Sequence, residues 1–396
     1  MPLPLENVRV LDLSRVLAGP YCTMMLGDLG ADVIKVERPG AGDDTRQWGP
    51  PFAAGESAYY LCCNRNKRGI TLNLKSAEGR EVAARLAERS DVLVENFLPG
   101  TLDAWGLSYA ALSQRNPRLV YCSITGFGQS GPRKSEPGYD IMIQATAGVM
   151  SITGEAGGSP MKVGVAISDI TAGIFASSAI LAALFARERT GRGDRLDISL
   201  FDATIAWLAN MGSNYLVSGQ VPERRGTEHP NIVPYQAFQA ADNSLIIAVG
   251  NDNQFLKFCD VIGRSDLAAD PRFGTNALRV QNRTQLLPAL SAEIRRRPAG
   301  EWLQKLEQAG IPCGPVNSID RVFADPQTAA RDMLIETPHP TIGTLKMAGS
   351  PLKLASIDHP PRRPPPLLGE QTDEVLKGDL QMSDEEIRGL RSRGVV

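Results

Sequence analysis

Short apolar strands alternate with helical segments along the first half of this chain, and this alternation constrains the fold more than any other feature. VRVLDLS (8–14) and ADVIKVE (31–37) flank PYCTMMLGDLG (20–30), where an N1 proline and a glycine stop predict a helix. The pattern repeats, with strands predicted over 69–74, 91–97 and 118–128 and a helix over 76–90. Strands joined by helices predict an α/β fold with a doubly wound parallel sheet.

A change of character near the middle of the chain predicts a second domain. The segment SGQVPERRGTEHPNIVP (218–234) is polar and rich in proline and glycine, as linkers are. After it, YQAFQAADNSLIIAVG predicts an antiparallel hairpin with Asp-Asn at its turn, and helical patterns occupy roughly 252–310. These segments predict a smaller α+β domain. HPPRRPPPLLG (359–369) is interpreted as an extended structural connector rather than a ligand for SH3-type domains.

Charge and composition exclude several classes of protein. A net charge of −2 argues against a nucleic-acid-binding surface. The six cysteines form no C-x-x-C pair and the three histidines no metal-ligand motif, which predicts reduced thiols and no metal site. The uncharged run ITAGIFASSAILAALFA (170–186) is interpreted as a buried core helix rather than a membrane span. Because the first residues carry no apolar signal region, we expect a cytoplasmic protein with no membrane partner.

One carboxylate, Asp169, lies where this uncharged run begins. An unpaired aspartate is costly to bury and unfavourable inside a helix, so its position needs a reason. In a structural role, Ser168 and Asp169 could cap the helix that follows, or Asp169 could be an interior acid with a buried partner. Alternatively, Asp169 could be a carboxylate nucleophile that attacks a thioester and forms a mixed anhydride, with small neighbours leaving room for the substrate. The residues alone leave both alternatives open.

A group of basic residues lies in the early loops. A solvated surface explains such a group, but so does a groove for a ligand with several phosphates, such as coenzyme A. The glycine fingerprint of dinucleotide sites is absent, since the first turn reads SRVLAGP, which argues against a nicotinamide cofactor. The basic residues are Arg38, Arg46, Arg65, Lys67, Arg68 and Lys75.

Several segments, taken together and in order, resemble the class III CoA-transferases of the CaiB/BaiF family. They are VLDLSRVLAGPYCTMMLGDLGADVIKVERPG, NRNKRGITLNLK, DVLVENFLPGTLDAWGL, SITGFGQSGP, GVAISDITAG, ARERTGRGDRLDISLFDA, HPNIVPYQAF and LLGEQTDEVL. The resemblance implies two ring-shaped subunits that interlock as a homodimer. It also implies a large Rossmann-like domain beginning with residues 1–217, a small α+β domain over 225–325, and a C-terminal segment, 330–396, that returns to the large domain.

The resemblance also implies the site. Asp169 matches the nucleophile that carries the anhydride and the enzyme–CoA thioester. The implied CoA-binding residues are Val16, Arg38, Leu72, Lys75, Asn96 and Phe97. Trp48, Tyr59 and Tyr139 match positions near the acyl pocket, and Gly250 lies in AVGNDNQF, which matches a loop that covers the site. The implied substrates are a CoA thioester and a carboxylic acid, with no permanently bound cofactor.

The overall match is most similar to transferases that move CoA from succinyl-CoA to a dicarboxylate such as glutarate. A dicarboxylate needs a cation for its distal carboxylate, and Arg46 is our hypothesis for it. Leu17 stands where formyl-CoA transferases have glutamine, and Ala104 where some relatives have an arginine for CoA phosphate.

Two other readings stay open. The α-methylacyl-CoA racemases of the same family use a His-Asp-Ile motif, but this chain has GYDIM, with Tyr139 in place of the histidine. Tyrosine is a poor base near pH 7, which favours transfer over racemisation. A CoA-binding subunit without turnover is the second alternative, and the intact surroundings of Asp169 argue against it.

Overall fold

The computed structural model describes residues 2–355 and 363–396. Within them the chain divides into two compact units. The first unit comprises Met1–Val149, Lys162–Gly219 and Pro326–Val396, and the second comprises Met150–Met161 and Gln220–Asp325. Residues 359–362 of the predicted proline-rich connector lie outside the described residues.

The strands, in chain order, are β1 (Arg9–Asp12), β2 (Asp32–Glu37), β3 (Phe52–Ala53), β4 (Glu56–Ser57), β5 (Lys67–Thr71), β6 (Val92–Glu95), β7 (Val120–Thr125), β8 (Arg195–Ser199), β9 (Tyr235–Gln239), β10 (Ser244–Ala248), β11 (Cys313–Pro315), β12 (Leu334–His339) and β13 (Gly343–Ala348).

The α-helices are α1 (Ala18–Asp28), α2 (Ala58–Leu61), α3 (Ala77–Glu88), α4 (Thr101–Ala104), α5 (Tyr109–Arg115), α6 (Asp140–Thr146), α7 (Val149–Ile152), α8 (Ile167–Thr190), α9 (Leu200–Trp207), α10 (Ala209–Ser218), α11 (Asp252–Val261), α12 (Ser265–Ala269), α13 (Asn276–Gln281), α14 (Arg283–Ile294), α15 (Ala299–Gln308), α16 (Ile319–Ala324), α17 (Pro326–Ala330), α18 (Thr372–Gly378) and α19 (Asp384–Ser392). Short 3₁₀ helices cover Asp44–Gln47 and Pro271–Phe273.

The first unit is built on a parallel sheet with strand order β5-β2-β1-β6-β7-β8. Its central strands are buried on both faces because helices cover both sides. One core cluster packs α3, α5, α18 and α19 against the sheet, and a second packs α1 and α8. The predicted doubly wound α/β arrangement is therefore confirmed for this sheet.

Two predicted elements are shifted along the sequence. Helix α1 begins at Ala18, so Pro20 is its third residue rather than its first. A third-position proline is tolerated because the first N–H groups of a helix have no intrahelical acceptor. Strand β5 begins at Lys67 rather than Gly69, which moves Lys67 and Arg68 from a predicted loop into the sheet.

The long helix α8 is apolar enough, by length and composition, to cross a membrane. It packs on α1, and Ala172, Ala176 and Ile180 are fully buried in the second core cluster. A Cβ atom at Gly173 would lie 2.7 Å from the carbonyl oxygen of Ala18, so only glycine allows this close approach. This side of α8 is thus a core surface, as the sequence predicted.

The C-terminal residues pack against the sheet of the first unit, to which they belong. Arg363 exchanges hydrogen bonds with Asn66, and the side-chain oxygen of Gln371 accepts from the backbone N–H of Gly69 at the sheet edge. Helix α19 begins with a capping box between Ser383 and Glu386. These contacts cover the β5 edge.

The second unit contains an antiparallel sheet with order β11-β10-β9. The predicted hairpin is confirmed: β9 and β10 pair antiparallel, and Asp242 and Asn243 lie in the connection between them. Helices between 252 and 308 surround a core that includes Phe255, Phe258 and Trp302. This unit has the predicted α+β composition.

Candidate functional site

Asp169 is the third residue of α8, and neither it nor Ser168 caps that helix. The capping interpretation is therefore wrong. A side chain from α6 accepts a hydrogen bond from the first turn of α8 instead. Asp140 Oδ1 accepts from the backbone N–H of Ser168 at 2.8 Å. Asp140 Oδ2 accepts from Gln144, whose own oxygen accepts from the N–H of Val163 at 2.8 Å. Helix α6 thus anchors the chain that leads to Asp169.

The Asp169 carboxylate has no hydrogen-bond or ion-pair partner among the described residues, although the side chain is half-buried. Desolvation raises its pKa to about 7 from an ordinary 3.8, and the charge of Asp140 contributes in the same direction. The positive end of the α8 dipole acts against this shift. An unpaired, poorly solvated carboxylate is a stronger nucleophile than a solvated one, which is what attack on a thioester requires.

Tyr59 shares these surroundings. Burial raises the pKa of its phenol, and the negative charge of Asp169 is the next largest cause. Its ring packs edge-on against Trp48, with ring centroids 5.1 Å apart. A small apolar cluster of Leu17, Met24 and Cys63 packs with Tyr59 and the first turns of α8. The start of α8 therefore packs against apolar and aromatic side chains.

Tyr139 directly precedes α6 and is 64% exposed, with no hydrogen bond from its hydroxyl among the described residues. It neighbours Asp140 in the chain, which places its backbone close to the start of α8. Gly250 lies in the second unit after β10, where its N–H donates to the side chain of Gln254 at 2.8 Å. Asn251 caps α11, so hydrogen bonds order this loop.

A cavity of about 500 Å³ opens in the first unit beyond the carboxyl ends of β1, β2 and β5. This is the edge at which open parallel sheets bind ligands. Four of the six predicted CoA-binding residues line it: Arg38, Leu72, Lys75 and Phe97. Arg15 and Trp105 line it as well, and neither was predicted from the sequence. The position of Arg15 just past the end of β1 was the available signal.

The other two predicted CoA-binding residues do not line this cavity. The Asn96 amide is hydrogen-bonded to the backbone of Arg15, accepting from its N–H at 2.9 Å and donating to its carbonyl at 2.7 Å. Val16 has a φ of +69°, and its N–H donates to the Asp43 carboxylate at 3.2 Å. Both residues hold the loop after β1 in place.

The structure does not support Arg46 as a ligand for a substrate carboxylate. Its guanidinium binds Glu37 through two hydrogen bonds of 2.7 and 2.8 Å and reaches Glu56 at 3.1 Å. A fourth hydrogen bond goes to the carbonyl of Pro366. The guanidinium also stacks on Tyr60 at 3.6 Å from the ring centroid, and the side chain is only 9% exposed. These contacts commit Arg46 to a buried structural network.

The interpretation of the six basic residues as a groove for a phosphate-bearing ligand is wrong for three of them. Arg65 forms two hydrogen bonds with Asp28, Arg68 pairs with Asp32, and Lys67 donates to Asp12 at 3.1 Å. All three basic residues are buried, so their charges serve the fold. Among the described residues no group of three or more His, Cys, Asp or Glu side chains could hold a metal ion.

Known proteins match this chain over nearly its whole length. Residues 5–372 match CoA-transferase family III. The succinyl-CoA:glutarate CoA-transferase of Homo sapiens is 44% identical over 393 residues, which cover 99% of this chain and 90% of that protein. The acetyl-CoA:oxalate CoA-transferase of Acetobacter aceti is 43% identical over 376 residues, covering 94% and 95%. The crystal structure of a CaiB/BaiF family protein from Brucella suis has a TM-score of 0.84 at 44% identity, covering 95% and 99%.

With the parallel sheet and its strand-end cavity in place, these matches define an enzyme of the CoA-transferase class. The chain belongs to CoA-transferase family III, which confirms the resemblance seen in the sequence.

Proposed function

We propose that this enzyme moves CoA from succinyl-CoA to a dicarboxylic acid of the glutarate type, with Asp169 as the nucleophile. The observation that carries the proposal is the unpaired, half-buried carboxylate of Asp169 beside Tyr59. The named activity of the human relative supports succinyl-CoA and glutarate as substrates. Because the Acetobacter relative is equally similar and is named for acetyl-CoA and oxalate, overall identity does not choose the acceptor.

The proposed reaction has four steps. An oxygen of the Asp169 carboxylate attacks the thioester carbonyl of succinyl-CoA, the C–S bond breaks, and CoA thiolate leaves an aspartyl–succinyl anhydride. The thiolate then attacks the aspartyl carbonyl, which releases succinate and leaves CoA on Asp169 as a thioester. The acceptor carboxylate attacks the aspartyl carbonyl of this thioester, which forms a second anhydride and expels the thiolate. The thiolate finally attacks the acceptor acyl carbon, which releases the new acyl-CoA and restores Asp169.

Each step conserves an activated acyl group, so water must be excluded. Trp48, Tyr59 and Tyr139 are proposed to form the acyl pocket that does this, and the loop containing Gly250 to cover the site. The CoA chain is proposed to enter through the cavity lined by Arg38, Leu72, Lys75 and Phe97. No permanently bound cofactor takes part in these steps.

A homodimer of interlocked subunits in the cytoplasm is part of the same proposal. Its support is the apolar surface that one chain exposes on α8 and α10. Phe185 is 69% exposed and Val217 is 89% exposed, and Phe175 and Leu216 are exposed as well. Large apolar side chains exposed to this extent favour an interface, and a second copy would cover them. A monomer mass in solution would contradict this part of the proposal.

The test is a mass-spectrometric assay of acyl-CoA species. The enzyme is incubated with succinyl-CoA and, separately, glutarate, oxalate, mesaconate, malate or acetate. Glutaryl-CoA formation with total thioester conserved supports the proposal, and a product only from another acid reassigns the acceptor. Exchange of solvent deuterium at Cα of a 2-methylacyl-CoA without any acceptor would instead indicate a racemase. CoA binding without either reaction would indicate the silent subunit.

A further inference from the structure

Arg15 lines the strand-end cavity, and its side chain is 40% exposed. Its Nε atom is buried and has no hydrogen-bond partner among the described residues. A buried N–H without an acceptor is costly, and a cationic one more so. The cavity contains Arg38 and Lys75 in addition to Arg15, so three cationic side chains face one space of about 500 Å³.

The acids near these cations do not neutralise them. Asp44 is shared between Arg38 at 2.7 Å and Arg15 at 3.6 Å, and all three side chains are at least 40% exposed. The two acids that line the cavity wall are occupied, because Glu37 binds Arg46 and Asp43 binds Lys35. The cavity therefore has an excess of positive charge, which suits a ligand bearing phosphates.

Residues that follow β6 fix the position of Arg15. Asn96 holds both backbone polar groups of Arg15, and the Arg15 guanidinium lies 5.4 Å from the centre of the Phe97 ring. Because Asn96 and Phe97 are adjacent, the loop after β6 fixes both the backbone and the side-chain direction of Arg15. A preorganised guanidinium loses less entropy when it binds an anion.

We propose that Arg15 is a phosphate-binding residue of the CoA cavity and that Asn96 is a positioning residue acting through it. This inference rests on the proposed function, because it requires the CoA chain to occupy this cavity. The ligand chemistry is a phosphate of CoA, either the 3′-phosphate or the diphosphate. Asn96 contributes by holding Arg15 rather than by touching the nucleotide.

Calorimetry with CoA, dephospho-CoA and pantetheine tests the inference. Arg15→Met is expected to weaken CoA binding about 10-fold or more, as loss of a charged hydrogen bond does. The affinity for pantetheine, which lacks these phosphates, should stay within about twofold of the native value. Arg15→Lys should recover part of the loss because it keeps the charge. Arg115→Met is the matched control, since Arg115 lies outside this cavity and forms exposed ion pairs with Glu81 and Glu88.

Dephospho-CoA identifies the phosphate. If Arg15→Met weakens the binding of dephospho-CoA as much as the binding of CoA, the partner of Arg15 is the diphosphate. If the binding of dephospho-CoA is unchanged, the partner is the 3′-phosphate. Asn96→Ala should weaken CoA binding in the native background but add little in the Arg15→Met background. The inference would be overturned if both Arg15 variants bound CoA within twofold of the native affinity. It would also be overturned if Arg15→Met lost equal affinity for CoA and for pantetheine. Absence of CoA transfer by the native enzyme would instead overturn the proposed function.

Discussion

The carboxylate of Asp140 accepts a hydrogen bond of 2.8 Å from the backbone N–H of Ser168, directly before Asp169 in the chain. Asp140 therefore has two effects. Its carboxylate anchors the start of α8, and its negative charge contributes to the raised pKa of Asp169. The first effect needs a hydrogen-bond acceptor and the second needs a negative charge, so one substitution can separate them.

Asp140→Asn is expected to shift the acidic limb of the kcat/KM profile toward lower pH. The nucleophile must be deprotonated, so activity falls as the pH drops through the pKa of Asp169, about 7. Removing the charge of Asp140 lowers that pKa, while the asparagine oxygen still accepts from Ser168 and only the hydrogen bond from Gln144 is lost. Asp140→Ala removes both effects and should also lower kcat at high pH. An unmoved acidic limb in Asp140→Asn would contradict the electrostatic part of this account.

Asp169→Asn is expected to stabilise the fold above pH 7 and to have little effect at pH 4. Because the folded pKa lies above 3.8, the folded chain binds more protons than the unfolded chain between these values, and stability falls as pH rises through this range. The uncharged amide of the Asp169→Asn variant does not titrate, so the variant does not lose stability in this way. Thermal unfolding at pH 4 and pH 8 checks the sign, with Asp202→Asn, an exposed acid in the first turn of α9, as the matched control.

Arg46→Met is expected to destabilise the fold by about 3–5 kcal/mol, since it leaves the buried Glu37 without its partner. Urea unfolding measures this loss. The KM for the dicarboxylate, measured where the variant is folded, should stay within about twofold of the native value, because Arg46 has no role in binding the acceptor. A large rise in KM with unchanged stability would restore the original hypothesis.

Gly173→Ala is expected to cost about 1–3 kcal/mol, because the new Cβ would lie 2.7 Å from the carbonyl oxygen of Ala18 and push α1 away from α8. Gly378→Ala is the control: it lies in α18, and a methyl group added there would meet no neighbouring atom within 4 Å. Unfolding midpoints that are equal in the two variants would show that the helices yield without cost.

The order of strands and helices could be predicted because each buried strand of the parallel sheet is a short apolar run in the sequence. The roles of the basic residues could not. Arg65 and Arg68 find their acids at Asp28 and Asp32, more than 30 positions earlier, and no local pattern reveals such pairs. The anchor of α8 comes from Asp140 for the same reason, across 28 positions. Arg15 was missed because its significance depends on the cavity around it.

The most direct test of the central claim is the mass of the enzyme itself. The enzyme is mixed with succinyl-CoA in the absence of an acceptor, quenched in acid and digested. We predict a peptide containing Asp169 that is heavier by one CoA less one water, and its disappearance in Asp169→Asn but not in Asp202→Asn. Transfer of CoA to an acceptor by native enzyme without any such adduct, or with undiminished turnover in Asp169→Asn, would contradict the assignment of Asp169 as the nucleophile.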